Sequence, residues 1–218
     1  MKFDQDLEGL TWDGQPIMHP VKDLLYSQIT MSFNLAKNCQ KDGYKLASAP
    51  EMYNYLKEVA LRMSSEEKFR MMAQEFVEKL GPPDIGATLV HTNTIVSYGG
   101  NEAMMSYNHY PHENFVYKHK LDNPGCFREP LDSITRAGEI FVQAMFNTKD
   151  ELSEIEWVLK KITGHSQVLL YNVDREIKEH PLRQVTFSHN SQGMCIGTPA
   201  WPEIKGYVPM IKVKNGQD

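Results

Sequence analysis

The run from Ser32 to Leu56, SFNLAKNCQKDGYKLASAPEMYNYL, limits the folds open to this chain more than any other stretch. It reads as a short helix, a turn at Lys41-Asp42-Gly43, one extended tripeptide and a second helix. Four residues, Ser48-Ala49-Pro50-Glu51, mark where that second helix starts. Serine and glutamate there satisfy orphan amides of the first turn reciprocally, and proline suits a first-turn position that has no hydrogen bond to lose. Met52, Leu56, Val59, Ala60 and Met63 then recur on one face, the spacing of a helix laid on a core.

Similar punctuation organises the rest of the chain. Ser64-Ser65-Glu66-Glu67 repeats the capping pattern ahead of Phe69, Met72, Ala73, Phe76, Val77 and Leu80, and Gly81-Pro82-Pro83 ends that helix. Thr88–Tyr98 is rich in β-branched and aromatic residues and reads as a strand, with Gly99-Gly100 as a hairpin loop and Ala103–Tyr107 returning. Asn108–Arg128 is polar and punctuated by proline, which predicts loops with one short strand at Phe115–Tyr117. A helix is expected from about Asp132 to Phe146, with Ile134, Ala137, Phe141 and Met145 inward. Thr148-Lys149-Asp150-Glu151 is a third capping box for a helix burying Leu152, Ile155, Val158, Leu159 and Ile162, and Gly164 suits a left-handed cap at its end.

Four strands are then expected, at Gln167–Asn172, Arg183–Ser188, Met194–Gly197 and Tyr207–Val213. Before the first helices, the stretch to about Pro20 reads as irregular or weakly extended, turning at Trp12-Asp13-Gly14. Blocks of helices alternating with blocks of strands predict an α+β fold rather than a βαβ repeat. Its N-terminal helices and two later helices would pack on a mixed, mainly antiparallel sheet. One domain over residues 1–218 accommodates this, with about 64–165 readable as an insertion.

Composition narrows the function classes. Hydrophobic residues at 41% and charged residues at 23% are globular values, so a core can form without metal or disulfides. A net charge of −5, and no basic cluster beyond Lys160-Lys161, disfavour nucleic acid as a partner. Cys39, Cys126 and Cys195 are far apart and make no CxxC pair, which points to a reducing compartment. MKFDQDLEGL lacks the apolar centre of a signal peptide, and no run reaches the roughly 18 apolar residues of a membrane span. A cytoplasmic protein without membrane partners is the expectation.

In the opening stretch, Ala36, Cys39 and Gly43 precede Lys45-Leu46-Ala47-Ser48-Ala49-Pro50-Glu51-Met52. This segment resembles the region around the second helix in the formylglycine-generating-enzyme-like branch of the C-type lectin fold. Lys45, Leu46, Ser48 and Glu51 occupy the basic, leucine, hydroxyl and glutamate positions of that pattern. The resemblance covers about 25 residues and implies a C-type-lectin-like fold. Met52 stands where the family has tryptophan, the Gly-Gly-Ser-Trp and closing Gly-Phe-Arg segments are missing, and Cys195 has no neighbouring cysteine. The oxidase activity of the enzyme branch is therefore not expected.

The densest polar constellation is Asn108-His109-Tyr110-Pro111-His112-Glu113, following Tyr107 and trailed by His119 and Asp122. Tyrosine, histidine and asparagine supply amphipathic area and adaptable hydrogen bonds, so Tyr107, Asn108, His109, Tyr110, His112 and Glu113 are the candidate ligand-binding residues. Imidazoles also ligate divalent metals, and His91, His109 and His112 are the candidate set for an ion such as zinc. Pro111 opposes a helix between the two loop histidines, so this is not the HExxH arrangement. Cys195, between Gly193 and Gly197, is a candidate nucleophile if His189 or another histidine approaches it, with the glycines admitting a substrate.

No triad, phosphate loop or ligand set with diagnostic spacing is present. The leading expectation is therefore a binding or structural module, without cofactor, that recognises a protein or small-molecule ligand through Asn108–Arg128. The alternatives are a metal-assisted hydrolase built on the histidine-rich loop and a viral or mobile-element accessory protein. Twelve methionines supply adaptable apolar surface, compatible with a homo-oligomer.

Overall fold

The computed structural model describes residues 10–12, 44–82, 88–99, 102–107, 118–122, 128–172, 182–198 and 205–212. The short helix expected after Ser32, the Phe115–Tyr117 strand, Cys39 and Cys126 lie outside these residues.

The chain is α+β. Strand β1 (Leu10–Trp12) and strand β2 (Tyr44–Leu46) flank the last strand, β11 (Pro209–Lys212), both antiparallel to it, in a small three-stranded sheet. Helix α1 (Ala49–Arg62) follows β2 directly, and helix α2 (Glu67–Leu80) doubles back from it. The larger sheet takes β3 (Thr88–Gly99), β4 (Glu102–Tyr107), β5 (His119–Asp122), β6 (Arg128–Pro130), β7 (Val168–Tyr171), β8 (Leu182–Asn190), β9 (Gly193–Gly197) and β10 (Lys205–Tyr207). Its spatial order is β5-β4-β3-β8-β9-β7-β6, with β10 beside the beginning of β3. The β7–β9 and β10–β3 pairs are parallel and the others antiparallel. Helices α3 (Arg136–Met145) and α4 (Leu152–Thr163) lie between β6 and β7 in the chain. None of the described helices is long and apolar enough to cross a membrane.

The first capping box forms as its residues dictate. Glu51 accepts from both the Ser48 backbone N–H, at 2.9 Å, and the Ser48 hydroxyl, at 2.8 Å, and it also pairs with Lys45. Leu46 is buried beside it. The other two boxes do not form. Glu66, not Ser64, precedes α2, where Arg62 reaches forward to pair with Glu66 and covers the Phe69 ring at 4.0 Å. Glu151 precedes α4, because the Thr148 hydroxyl is taken by the Asp150 N–H in a tight turn. The helix expected from Asp132 starts later: Leu131–Ser133 is a 3-10 turn, and the Thr135 hydroxyl caps α3 by accepting from Gly138 N–H.

One core unites the layers. Tyr53 of α1 stacks on Phe146 at the end of α3, Phe146 on Phe187 of β8, and Phe187 meets Phe76 of α2 edge-on at 6.0 Å. Such ring pairs add about 0.5–1.5 kcal/mol each to their burial. At the layer's rim the Tyr53 hydroxyl and Lys57 ammonium both donate to Asp150 at 2.7 Å, and Lys57 also reaches Glu154. Burial pushes the Asp150 carboxyl up, but Lys57 and Tyr53 outweigh it and hold it below the usual carboxylate range.

Two glycines make the parallel β7–β9 contact possible. Gly193 and Gly197 have φ of 158° and 141°, and a Cβ on Gly197 would stand 1.8 Å from the Tyr171 carbonyl oxygen. That carbonyl accepts from Thr198 N–H at 2.9 Å, and Gln167 C=O accepts from Met194 N–H at 3.0 Å. Gly197→Ala should therefore cost more than about 3 kcal/mol in urea unfolding, through backbone overlap. Gly164→Ala, at φ 72° with open space around it, should cost only about 1–2 kcal/mol. Equal losses at the two positions would contradict this assignment.

Candidate functional site

Of the candidate binding residues, Tyr107 is described and sits where β4 ends; Asn108, His109, Tyr110, His112 and Glu113 lie outside the described residues. The base of the segment they occupy is well defined. β4 and β5 pair antiparallel with Met105 opposite His119, and Lys118 N–H donates to Met105 C=O at 2.6 Å. The chain therefore leaves and returns side by side, at the edge of the large sheet. Tyr107 donates its hydroxyl to Ala144 C=O in the last turn of α3, and burial raises its phenol. His119 meets the Tyr107 ring edge-on at 5.7 Å and its Nε2 lies 3.4 Å from Asn147 Oδ1. Asn147 follows α3 at φ 46°, a left-handed position that asparagine tolerates better than most residues. Two rings and one helix end thus fix the root of the 108–117 segment.

His91 occupies a different environment. Alternation along β3 and β8 puts Val90, Val96, Val185 and Phe187 on the helix-covered face and His91, Gln184, Thr186 and Ser188 on the other. His91, Gln184, Thr186 and Ser188 are all buried. The Gln184 amide nitrogen donates to Thr92 C=O at 2.7 Å, which turns its oxygen to His91 Nδ1 at 3.1 Å. Nδ1 must therefore carry a proton. Tyr107, pointing to α3, is on the helix side. The structure puts His91 and Tyr107 on opposite faces, while His109 and His112 lie outside the described residues. Among the described residues no three His, Cys, Asp or Glu side chains gather as a metal site.

Cys195 does not meet His189. Cys195 pairs across the strands with Ser188 and receives a hydrogen bond from Asn190 Nδ2 at 3.5 Å, whereas His189 pairs with Met194 on the helix face. Side chains one position apart on a strand point oppositely, so this cysteine and histidine cannot act as nucleophile and base. Burial pushes the Cys195 thiol up, and Arg128 and Ser188 only partly oppose it. Its flanking glycines admit the β7 backbone rather than a substrate.

Two polar groupings were not anticipated from sequence. His165, just past the α4 cap, places Nε2 3.0 Å from Nδ1 of buried His189, whose Nε2 faces Gly81 C=O at the end of α2. A carbonyl only accepts, so His189 donates from Nε2 and receives the His165 Nε2–H on Nδ1. Burial, and then the neighbouring His189, lower the basicity of His165. The second grouping joins Tyr98, Asn172 and Thr198, with Thr198 Oγ1 2.7 Å from the Tyr98 hydroxyl and donating to Asn172 Oδ1 at 3.1 Å. The available signal was polar residues at inward strand positions: His189 keeps step with Val185 and Phe187.

The chain matches no protein-family model, no curated protein and no solved structure.

A thiol reagent should leave Cys195 unmodified in the folded protein and label it fully in denaturant, as read by mass spectrometry of its peptide. Labelling at the rate of a free thiol under native conditions would show that Cys195 is accessible after all.

Proposed function

We propose that this protein is a non-catalytic binding module whose recognition surface is the segment following Tyr107, with Asn108, His109, Tyr110, His112 and Glu113 as contact residues for a protein partner. The observation that carries this reading is the rigid root: β4–β5 pairing, the Tyr107–Ala144 hydrogen bond and the His119–Tyr107 contact. Recognition residues are commonly carried on connections held by a stiff scaffold, where they gain exposure without losing position. The segment's composition suits the task, since tyrosine and histidine present large contact area with few rotatable bonds. Cys195 is unsuited to nucleophilic work, which weighs further toward binding.

A C-type-lectin-like architecture is part of the reading. It is supported by the pairing of β1 with β11 and by β2 entering α1 beside them through the Lys45–Glu51 ion pair and the Ser48 cap. Those residues contribute a core plug and a helix cap, so the resemblance bears on scaffold and not on ligand.

Alanine at Asn108, His109, Tyr110, His112 and Glu113 together should lower Tm by less than about 10 °C, the summed scale of five surface substitutions. A benzophenone side chain at position 110 should crosslink one recurring protein in cells, and alanine at the other four positions should remove that product. A Tm fall beyond about 10 °C would make the segment structural. Crosslinking no stronger than from position 67, an exposed helix start, would end the binding proposal.

A further inference from the structure

The geometry points to a divalent transition-metal site at the His165–His189 pair, ligated by His165 Nε2 and His189 Nδ1. Three observations carry it. The two nitrogens are 3.0 Å apart, and two imidazoles bound at about 2.0–2.1 Å to one tetrahedral ion have their nitrogens about 3.3 Å apart, a small adjustment. The rings stand nearly perpendicular, at 84°, so one ion between them is not blocked by stacking. Finally, the Nε2–H of His189 is held by the Gly81 carbonyl, the outer-shell contact that fixes a ligating histidine's tautomer and turns its other nitrogen's lone pair toward the ion.

The two ligands also differ usefully in exposure. His189 is 5% exposed and anchored on β8, while His165 is only partly buried at the α4 exit. Water can complete the ion's coordination from the His165 side. When the ion enters, it takes the position of the hydrogen-bonded proton. That proton leaves His165 Nε2 and reappears on His165 Nδ1, so a neutral pair binds metal without net proton release. The ion would join the ends of α2, α4 and β8 at one point. Nitrogen donors select zinc, nickel and copper over magnesium and calcium, which prefer oxygen.

The test is calorimetric titration of chelator-stripped full-length protein with zinc sulfate, with magnesium as a control. One zinc per chain should bind, saturating below about 1 mM, with a heat that does not depend on the buffer's ionisation enthalpy. Imidazole nitrogen NMR should show His165 Nε2 and His189 Nδ1 shifting together. Tm should rise by roughly 5 °C at a hundredfold excess over Kd. His165→Ala, at the more exposed position, should keep the apo Tm within a few degrees yet weaken zinc by more than about a hundredfold, beyond the cost of an outer-shell loss. His109→Ala/His112→Ala should bind as the parent does. Unchanged zinc binding in His165→Ala, loss in the His109/His112 variant, equal magnesium binding, or no saturation would each overturn the site.

Discussion

The structure hangs on a backbone junction at Ala47. Its N–H donates to Pro209 C=O at 2.9 Å and its C=O accepts from Asn93 N–H at 2.7 Å, so one residue ties the closing strand to the long central strand. Two residues on, Ala49 N–H donates to Thr94 Oγ1 at 2.9 Å. That is an orphan donor of the first helical turn, satisfied from the sheet rather than from its own cap. The junction exists because β3 slips register against β8 between His91 and Ile95, freeing Asn93 and Thr94 to bond sideways. Thr92 Oγ1 and the Gln184 side chain repair the ladder at the bulge. All these groups are buried, where an unmade hydrogen bond costs about 1–3 kcal/mol.

From that point the helical layer follows. With α1 fixed at its first turn, Tyr53 is aimed at Phe146 and Lys57 at Asp150, which docks the α3–α4 pair. α3 in turn supplies Ala144 and Asn147 beneath Tyr107 and His119. The proposed binding root is thus tied to the bulge twice, directly through the Thr94–Tyr107 strand pair and indirectly through α1 and α3. The His165–His189 pair stands where α2 and α4 terminate.

Much of the scaffold is legible in the sequence because local chemistry and burial agree there. Ser48 and Glu51 make their cap, Gly81 and Gly164 end their helices at φ 71° and 72°, and the inward stripes of α1, α2 and α4 are buried largely as their 3.6 spacing requires. The misread caps fail for a shared reason: hydroxyl and carboxylate spacing is necessary but not sufficient when another partner competes, as Asp150 N–H does for Thr148. Short strands β5 and β6 escaped detection since HKLD and REP carry no alternation to read. The site was less legible. In sequence His91 joins the histidines after Tyr107 as one candidate ligand set, but strand parity puts His91 and Tyr107 on opposite faces. Cys195 and His189 are separated by parity too, and the bond from His165 to His189 spans 24 residues with no motif.

The most direct test of this account is native-state hydrogen exchange at the Ala47, Ala49 and Asn93 amides. If the junction holds the fold together, these three should exchange only through global unfolding, with the same protection as Val185 and Phe187 in β8. Exchange by local opening, at rates approaching the Ser65 amide in the α1–α2 turn, would show that helix and sheet stay assembled without the junction, and would contradict the account.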